Sequence, residues 1–250
     1  MHKQPSRPES VAAIAAMFVQ LLPALLFLTL CANSAKAQDV SAPNTTAPSA
    51  VMSMAGNRTA GNQTTENQQG AVNQTAMDSG QSAWTKEELV TDLSLPGAPN
   101  ATLEVTYAGD LKVTLGNTLT PQQTSSAPTV SLKVPVGCEG PYALLMVDPD
   151  ATSRKNPVFR SWMHWMVFNI NSTEKLHEGD VALPYNGPAP PKGTGLHRYV
   201  FLTYCQRGMR LQPAELAPKE RKNFNLAEFV NRTNLGSPLA GNFFVAENPA

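Results

Sequence analysis

Residues 142–150 read YALLMVDPD, an apolar run that ends in two carboxylates on either side of a proline. The run from Tyr142 to Asp148 is long enough to cross a buried sheet, and Pro149 ends it. The segment therefore predicts a central strand of a β core, with Asp148 and Asp150 at the mouth of that core.

A second strand is predicted over residues 159–168, which read FRSWMHWMVF and follow a short polar turn. Because side chains alternate along a strand, one face would carry Arg160, Trp162, His164 and Met166. His164 would then lie between large apolar neighbours.

A third strand is predicted after a turn rich in proline and glycine, in residues 187–204, which read GPAPPKGTGLHRYVFLTY. The prolines fix the backbone and the glycines allow a ligand to approach it closely. Alternation then places His197 and Tyr199 on one face with Phe201. The three segments together predict imidazoles, a phenol and carboxylates around a small polar pocket.

These residues resemble the phosphatidylethanolamine-binding protein family, which includes the Raf kinase inhibitor proteins and the plant flowering regulators. Two blocks carry the resemblance, DPDATSRKNPVFRSWMH at 148–164 and PPKGTGLHRYV at 190–200, and the likeness extends from about Trp84 to the last residue. It implies an all-β fold with a few short helices, an antiparallel β-sandwich; the composition of the residues before Trp84 adds a disordered N-terminal segment in front of it.

The resemblance also implies a cavity that binds phosphate-type anions such as phospholipid head groups. The residues that it places around this cavity are Asp148, Asp150, His164, Gly187, Pro191, His197 and Tyr199. One position departs from the family, because Phe159 stands where animal members usually carry a tyrosine.

The chemistry of these residue types fits an anion site. A phosphate oxygen needs hydrogen-bond donors, which imidazole N–H groups, a tyrosine hydroxyl and backbone N–H groups supply. Carboxylates fit as supports, and we expect Asp148 to accept a hydrogen bond from His164 and to favour the charged ring. Taken alone, a histidine between tryptophans is typical of a core, and Asp-Pro-Asp is typical of a strand-ending turn.

Metal binding and catalysis are the alternative uses of such residues. The spacing of the two histidines and two aspartates matches no familiar zinc site, so we expect neither a metal nor another cofactor. Acid–base catalysis also uses a histidine and a carboxylate, but no nucleophile elbow is present, and Ser161 is predicted on the face opposite His164. We therefore expect a binding protein rather than an enzyme, with a phosphomonoester hydrolase as the third option.

A second binding function stays open at this point. The family resemblance includes carboxypeptidase inhibitors that act through surface loops and chain ends. The alternative is therefore a secreted inhibitor of a carboxypeptidase or serine peptidase.

The N-terminal residues predict secretion. Lys3 and Arg7 precede an apolar run over residues 11–32, and Ala35-Lys36-Ala37 matches a signal-peptide cleavage site. An uncleaved membrane anchor is the alternative, because the run is long. We predict a signal peptide over 1–37, a stalk over 38–83 and a folded domain over 84–250, without a membrane span after cleavage.

The predicted stalk is rich in Asn, Thr and Ser and contains no aromatic residue. Such a composition buries too little apolar surface to offset chain entropy, so we expect disorder. Glycosylation is predicted at the sequons of Asn44, Asn57, Asn62, Asn73, Asn100, Asn171 and Asn231. The alternative for the stalk is a polar spacer whose sequons follow from its composition.

Short helices are predicted near both ends of the domain. Thr85 and Glu88 form the pattern of a capping box before an apolar face that begins at Leu89, and residues 223–230 form the later helix.

The cysteines predict a disulfide, and the charge gives no sign of nucleic-acid binding. Cys31 leaves with the signal peptide, so Cys138 and Cys205 are expected to pair at the end of the strands away from the pocket; two free thiols are the alternative. With 19 basic and 19 acidic residues, the chain has no basic excess that would indicate nucleic acid.

Overall fold

The computed structural model describes residues 80–133 and 137–249. The predicted signal peptide, nearly all of the stalk and the sequons of Asn44, Asn57, Asn62 and Asn73 lie outside the described residues. The described chain is mostly β-strand with a few short helices, as predicted.

The helices are α1 (80–86), α2 (Leu89–Asp92), α3 (Pro213–Leu216) and α4 (Leu226–Arg232). The strands are β1 (Ala101–Thr102), β2 (Glu104–Tyr107), β3 (Leu111–Lys112), β4 (Asn117–Thr118), β5 (Thr129–Ser131), β6 (Tyr142–Asp148), β7 (Trp162–Ile170), β8 (Asp180–Leu183), β9 (His197–Cys205) and β10 (Ala240–Ala246).

The strands form a large sheet and a small one. The large sheet has the order β1-β10-β9-β6-β7-β8, and β4 also pairs with β10. The pairs β10–β9, β9–β6, β6–β7 and β7–β8 are antiparallel, whereas β1 and β4 run parallel to β10. The small sheet has the order β3-β2-β5 and is antiparallel.

The large sheet is buried on both faces, which explains why its central strands are continuously apolar. One face packs on the small sheet through a cluster that includes Val105, Leu144 and Phe244. The opposite face is covered by the helices through a cluster that includes Phe229 and Leu145. The cavity described below lies on the small-sheet face, at the end of β6 that carries Asp148.

A β-bulge in β7 corrects the predicted alternation of side chains. Met146 pairs with Trp165 while Val147 pairs with Met163, so β7 carries an extra residue at His164. Trp165 consequently packs in the small-sheet cluster, and Met166 packs in the helix-side cluster with Met163. The prediction that His164 and Met166 share a face is wrong because alternation is interrupted between them.

The predicted capping box is also wrong. Thr85 lies inside α1, where its hydroxyl donates to the carbonyl of Gln81 at 3.2 Å. The chain breaks after α1, and Glu88 takes a positive φ of 57° before α2 without a side-chain cap. The later helix begins at Leu226, because Asn225 caps it by accepting a hydrogen bond from the backbone N–H of Glu228.

Trp84 holds the first helices against the last strand. Its ring meets Phe243 edge to face at 5.4 Å, and a side chain at Gly241 would lie within 2.6 Å of the same indole ring. The absence of a side chain at position 241 therefore allows the indole to pack directly on the backbone of β10.

Three predicted glycosylation sites lie on described residues. The side chains of Asn100, Asn171 and Asn231 are exposed, and their glycosylation stays a prediction.

Across residues 80–133 and 137–249, no helix combines the length and apolar composition that crossing a bilayer requires.

The predicted disulfide between Cys138 and Cys205 is confirmed, with Cα atoms 6.1 Å apart. Cys205 pairs in register with Tyr142, at the end of β6 opposite Asp148. The disulfide therefore lies away from the cavity, as predicted, and joins residues 67 positions apart in the sequence, closing a loop that contains β6, β7, β8 and β9.

We expect the double variant Cys138→Ala/Cys205→Ala to lower the free energy of unfolding by about 2–4 kcal/mol, because the crosslink restricts the unfolded chain. Urea unfolding measures the change. The parent protein treated with a reductant is the control and should reach the same stability. An unchanged midpoint in the double variant would contradict a stabilising role for the crosslink.

Candidate ligand-binding site

A cavity of roughly 220 Å³ opens where β6 ends. It is bounded by the turn after β6, by the start of β7, by the loop that precedes β9 and by the start of β9 itself. The lining residues are Asp148, Ala151, Thr152, Phe159, Trp162, His164, Asn186, Ala189, Pro190, Pro191, His197 and Tyr199.

Most of the predicted site residues meet at this cavity. The lining includes Asp148, His164, Pro191, His197 and Tyr199.

Asp150 and Gly187 lie outside the lining. Asp150 is fully buried and binds Arg198. Gly187 packs where a side chain would come within 3.1 Å of the backbone of Ser125, so it shapes the loop behind the cavity.

Sequence reasoning left out several lining residues. Ala151, Thr152 and Trp162 lie inside the first quoted block and Pro190 inside the second, so their positions in those blocks could have identified them. Asn186 lies in the loop before the second block, and the sequence carries no pattern that marks its role.

His197 holds a positive charge beside Asp148. Its Nδ1 donates to the Asp148 carboxylate at 2.8 Å, and its Nε2 lies 3.0 Å from the Thr194 hydroxyl. Because that hydroxyl donates its proton to the Pro191 carbonyl at 2.8 Å, it accepts from Nε2, and both ring nitrogens carry protons. Burial lowers the pKa of His197, but the hydrogen bond and charge of Asp148 outweigh burial and hold it above its ordinary value.

His164 is in the opposite state. Its Nδ1 donates to the Asn186 carbonyl at 2.5 Å, and the Asn186 N–H donates back to the His164 carbonyl at 3.0 Å. Burial lowers the pKa of His164 and outweighs the hydrogen bond to Asn186 and the charge of Asp148, which raise it; the charges of Arg221 and His197 add to the lowering. The ring is therefore neutral near pH 7, with its proton on Nδ1.

The other ring nitrogen of His164 opens onto the cavity. Nε2 makes no hydrogen bond with residues 80–133 or 137–249. It is also not one of the side-chain polar atoms that are fully buried without a hydrogen-bond partner in these residues, so it remains accessible. The expected hydrogen bond between Asp148 and His164 is wrong, because His164 directs its Nδ1 to the Asn186 carbonyl and the neighbouring strand β9 presents His197 to Asp148 instead.

Tyr199 lies between the two imidazoles. Its ring stacks on Phe244 at 5.2 Å and meets His164 edge to face at 5.2 Å. Burial raises the pKa of Tyr199, and the negative charge of Asp148 adds to this rise, so the phenol stays protonated. Within the described part of the chain its hydroxyl has no hydrogen-bond partner, which leaves it as a donor toward the cavity.

Arg221 adds positive charge behind His164. Its Nη1 donates to the carbonyls of Met163 and His164 at 3.0 and 2.8 Å, and its Nη2 donates to the Pro184 carbonyl at 2.8 Å. These bonds hold the bulge of β7. No carboxylate of the described residues forms an ion pair with Arg221, so its charge remains uncompensated.

The Asp150–Arg198 ion pair fixes the cavity from behind. Arg198 donates from Nε to Asp150 at 2.8 Å and from Nη2 to the other Asp150 oxygen at 2.5 Å. The same Nη2 lies 2.6 Å from Asp92 in α2, which also binds Arg160 at 2.6 Å. Burial opposes the charge of Arg198, but Asp150 and Asp92 outweigh it and raise its pKa.

The donor set does not point to a metal. Among residues 80–133 and 137–249, no group of three or more His, Cys, Asp or Glu side chains is placed to hold a metal ion.

Comparison with known proteins shows what the chain is similar to. The family model described as phosphatidylethanolamine-binding protein matches residues 97–244. A Drosophila melanogaster protein named "Putative odorant-binding protein A5" is 33% identical over 167 residues, which are 64% of this chain and 76% of that protein.

Two solved structures are also similar. A carboxypeptidase Y inhibitor in complex with its cognate proteinase is 27% identical with a TM-score of 0.60, and the match covers 69% of this chain and 96% of that one. A phosphatidylethanolamine-binding protein from Plasmodium vivax is 24% identical with a TM-score of 0.53, covering 67% and 96%, and this likeness shows the fold alone.

We expect the two cavity histidines to titrate in opposite directions, because burial dominates at His164 and Asp148 dominates at His197. NMR titration of the imidazole resonances should place the pKa of His197 above, and that of His164 below, the value of an unperturbed histidine. Asp148→Asn is the control and should lower the pKa of His197. A higher pKa at His164 than at His197 would contradict the assignment.

Proposed function

Because the chain belongs to the phosphatidylethanolamine-binding protein family, we propose that its cavity binds a phosphate-type anion such as a phospholipid head group. The observation that carries this proposal is the pair of free polar atoms, His164 Nε2 and the Tyr199 hydroxyl, on one small cavity beside Arg221.

The charge balance around the cavity supports an anionic ligand. The Asp148–His197 pair is neutral as a unit, and both N–H groups of His197 are already used. Arg221 is then the cation whose charge remains, and it lies directly behind His164. Arg221 is half-buried, and its positive charge favours an anion in the neighbouring cavity.

Anion binding is coupled to a proton in this proposal. A neutral His164 offers only a lone pair at Nε2, whereas a phosphate oxygen needs a donor. The charge of a bound anion offsets the burial that lowers the pKa of His164, so the ring gains a proton as the anion binds. The Tyr199 hydroxyl supplies a second donor without any change of charge.

The remaining walls suit the uncharged part of such a ligand. Phe159, Trp162 and Pro190 line the cavity with apolar surface. A cavity of roughly 220 Å³ is on the scale of a head group rather than of a whole lipid.

Binding without turnover is part of the proposal. Among the described residues that line the cavity, the aliphatic hydroxyl belongs to Thr152. This hydroxyl donates a hydrogen bond to the Asn156 carbonyl at 3.2 Å. Ser161 is not part of the lining. These positions supply no activated nucleophile beside His164.

The proposal includes an extracellular location. A disulfide between Cys138 and Cys205 is typical of an oxidising compartment. We propose removal of the signal peptide, residues 1–37, and a glycosylated stalk, residues 38–83, that precedes the domain from Trp84 onward.

We expect His164→Gln to weaken phosphoethanolamine binding by about tenfold or more, because the variant removes the charge-assisted hydrogen bond to the phosphate. Isothermal titration calorimetry near pH 6 measures the affinity. His177→Gln is the matched control, because His177 contacts the backbone of Val130 outside the cavity. Binding by His164→Gln as tight as that of the parent would remove the assignment.

The pKa of His164 is lowered in the free protein and higher in the complex. We expect the affinity for phosphoethanolamine to fall as the pH rises from the first of these pKa values to the second. Binding takes up one proton over this range, so the dissociation constant should rise toward a limiting tenfold for each pH unit. Titrations in buffers of different ionisation enthalpy count the protons directly. An affinity that does not change with pH would contradict proton coupling while leaving anion binding intact.

Peptidase inhibition is the second candidate function. It is favoured by the likeness to the carboxypeptidase Y inhibitor, at 27% identity and a TM-score of 0.60. Such inhibition would use surface loops and the N-terminal segment rather than the cavity.

Under this second function, inhibition of carboxypeptidase Y should survive His164→Gln and disappear when residues 38–83 are removed. Inhibition constants for the parent, the cavity variant and the shortened chain measure both effects. Full inhibition by the shortened chain, or loss of inhibition with His164→Gln alone, would contradict this arrangement.

A further inference from the structure

A ligand that carries an ammonium group finds little free negative charge in the cavity around His164. Among the described residues that line this cavity, the carboxylate belongs to Asp148, which is 3% exposed. Its Oδ2 accepts a hydrogen bond from the charged His197 at 2.8 Å. Its Oδ1 accepts one from the backbone N–H of Asp150 at 2.6 Å. The charge of Asp148 is therefore already balanced within the protein.

Neutral oxygen atoms around the cavity are also in use. The Asn186 carbonyl accepts from His164 Nδ1, and the Pro191 carbonyl accepts from the Thr194 hydroxyl at 2.8 Å. A further hydrogen bond to one of these oxygens would not balance the charge of an ammonium group. Moving an unbalanced charge out of water is unfavourable, so such a group gains little by entering the cavity.

Two consecutive cations lie next to the cavity. Arg221 donates to the His164 carbonyl at 2.8 Å. Lys222 places its Nζ 5.7 Å from the centre of the Phe159 ring, which forms part of the cavity wall. Glu220 lies 3.2 Å from this Nζ, but both side chains are largely exposed, so water screens the pair. An ammonium group beside these residues therefore meets like charge.

The aromatic walls offer a hydrocarbon surface rather than a negative charge. The ring of Phe159 already attracts the Lys222 ammonium group, which leaves it less attractive to a second cation. Together with Trp162 and Pro190, this ring forms an apolar surface in the cavity. An uncharged hydrocarbon group is stabilised on such a surface because it leaves water.

We propose that the cavity selects phosphate esters with an uncharged substituent over zwitterionic esters that carry an ammonium group, and that Lys222 contributes to this selection. The selection rests on the proposed binding of an anion by His164 and Tyr199. Phosphoethanolamine still binds through its phosphate, but its ammonium group gains no countercharge. A hydrocarbon substituent of the same size lies against Phe159 and Trp162 without that cost.

The pair n-propyl phosphate and phosphoethanolamine tests the selection, because a methyl group in the first takes the place of the ammonium group in the second. Calorimetry with the full-length protein near pH 7, above the second phosphate pKa of about 6, measures both affinities. The dissociation constant of n-propyl phosphate should be lower by about tenfold. Equal affinities, or tighter binding of phosphoethanolamine, would overturn the inference and leave anion binding intact. Binding of neither ester would overturn both proposals.

Charge reversal at Lys222 tests its contribution. Lys222→Glu should narrow the ratio of the two dissociation constants by about threefold, because attraction of the ligand ammonium replaces repulsion. Lys175→Glu is the matched control, because Lys175 also pairs with a glutamate, Glu178 at 3.0 Å, and lies outside the lining. The control should keep the ratio of the parent. An unchanged ratio in Lys222→Glu, or the same narrowing in Lys175→Glu, would overturn the assignment of Lys222.

Vesicles distinguish a lipid from a free phosphate ester as the source of the ligand. Co-sedimentation of the full-length protein with phosphatidylcholine vesicles that contain phosphatidic acid, displaced by n-propyl phosphate, would assign the ligand to lipids. Binding of n-propyl phosphate without co-sedimentation would assign it to free esters, and both results agree with the selection. Stronger co-sedimentation with phosphatidylethanolamine than with phosphatidic acid, at equal lipid content, would overturn it.

Discussion

The two carboxylates at the end of β6 and just after it each bind one cation of β9, and they do so from opposite sides of the sheet. Asp148 binds His197 on the cavity face, and Asp150 binds Arg198 behind it. Because His197 and Arg198 are consecutive on a strand, their side chains point to opposite faces, and one short turn serves both. Removing one partner of a buried pair costs about 3–5 kcal/mol, since a buried charge is left alone. The position of the cavity relative to α2 depends on this double pairing.

The two histidines of the cavity differ in charge and in free hydrogen-bonding atoms because their neighbours differ. His197 has a carboxylate on one nitrogen and a hydroxyl oxygen on the other, so it holds a charge but has no donor left for a ligand. His164 has a backbone carbonyl on one nitrogen and the cavity on the other. The first ring therefore stabilises the wall, and the second is the ring that responds to what enters the cavity. Their order in the sequence does not reveal this division.

Sequence reasoning was sufficient for β6, whose predicted bounds from Tyr142 to Asp148 are those of the structure, because a continuous apolar run between a proline and Asp-Pro-Asp has few other interpretations. It failed at His164 for two physical reasons. A β-bulge depends on the partner strand, so alternation along β7 alone could not place Met166. Asp148 has β7 on one side and β9 on the other, and local sequence does not specify which of their histidines reaches its carboxylate. Asn186 was missed because its contribution is a backbone carbonyl, which every residue type possesses.

The position of β10 has a consequence for how the chain reaches its folded state. This strand carries residues 240–246, yet it lies inside the sheet, antiparallel to β9 on one edge and parallel to β1 and β4 on the other. Ala101 and Asn117 therefore find their strand partners more than a hundred residues later in synthesis. Until those residues emerge, β9 presents an open edge, and such edges are prone to pair with other chains. A fold closed by its late residues is slow to form on topological grounds, and it depends on the cell keeping the incomplete chain apart from its neighbours.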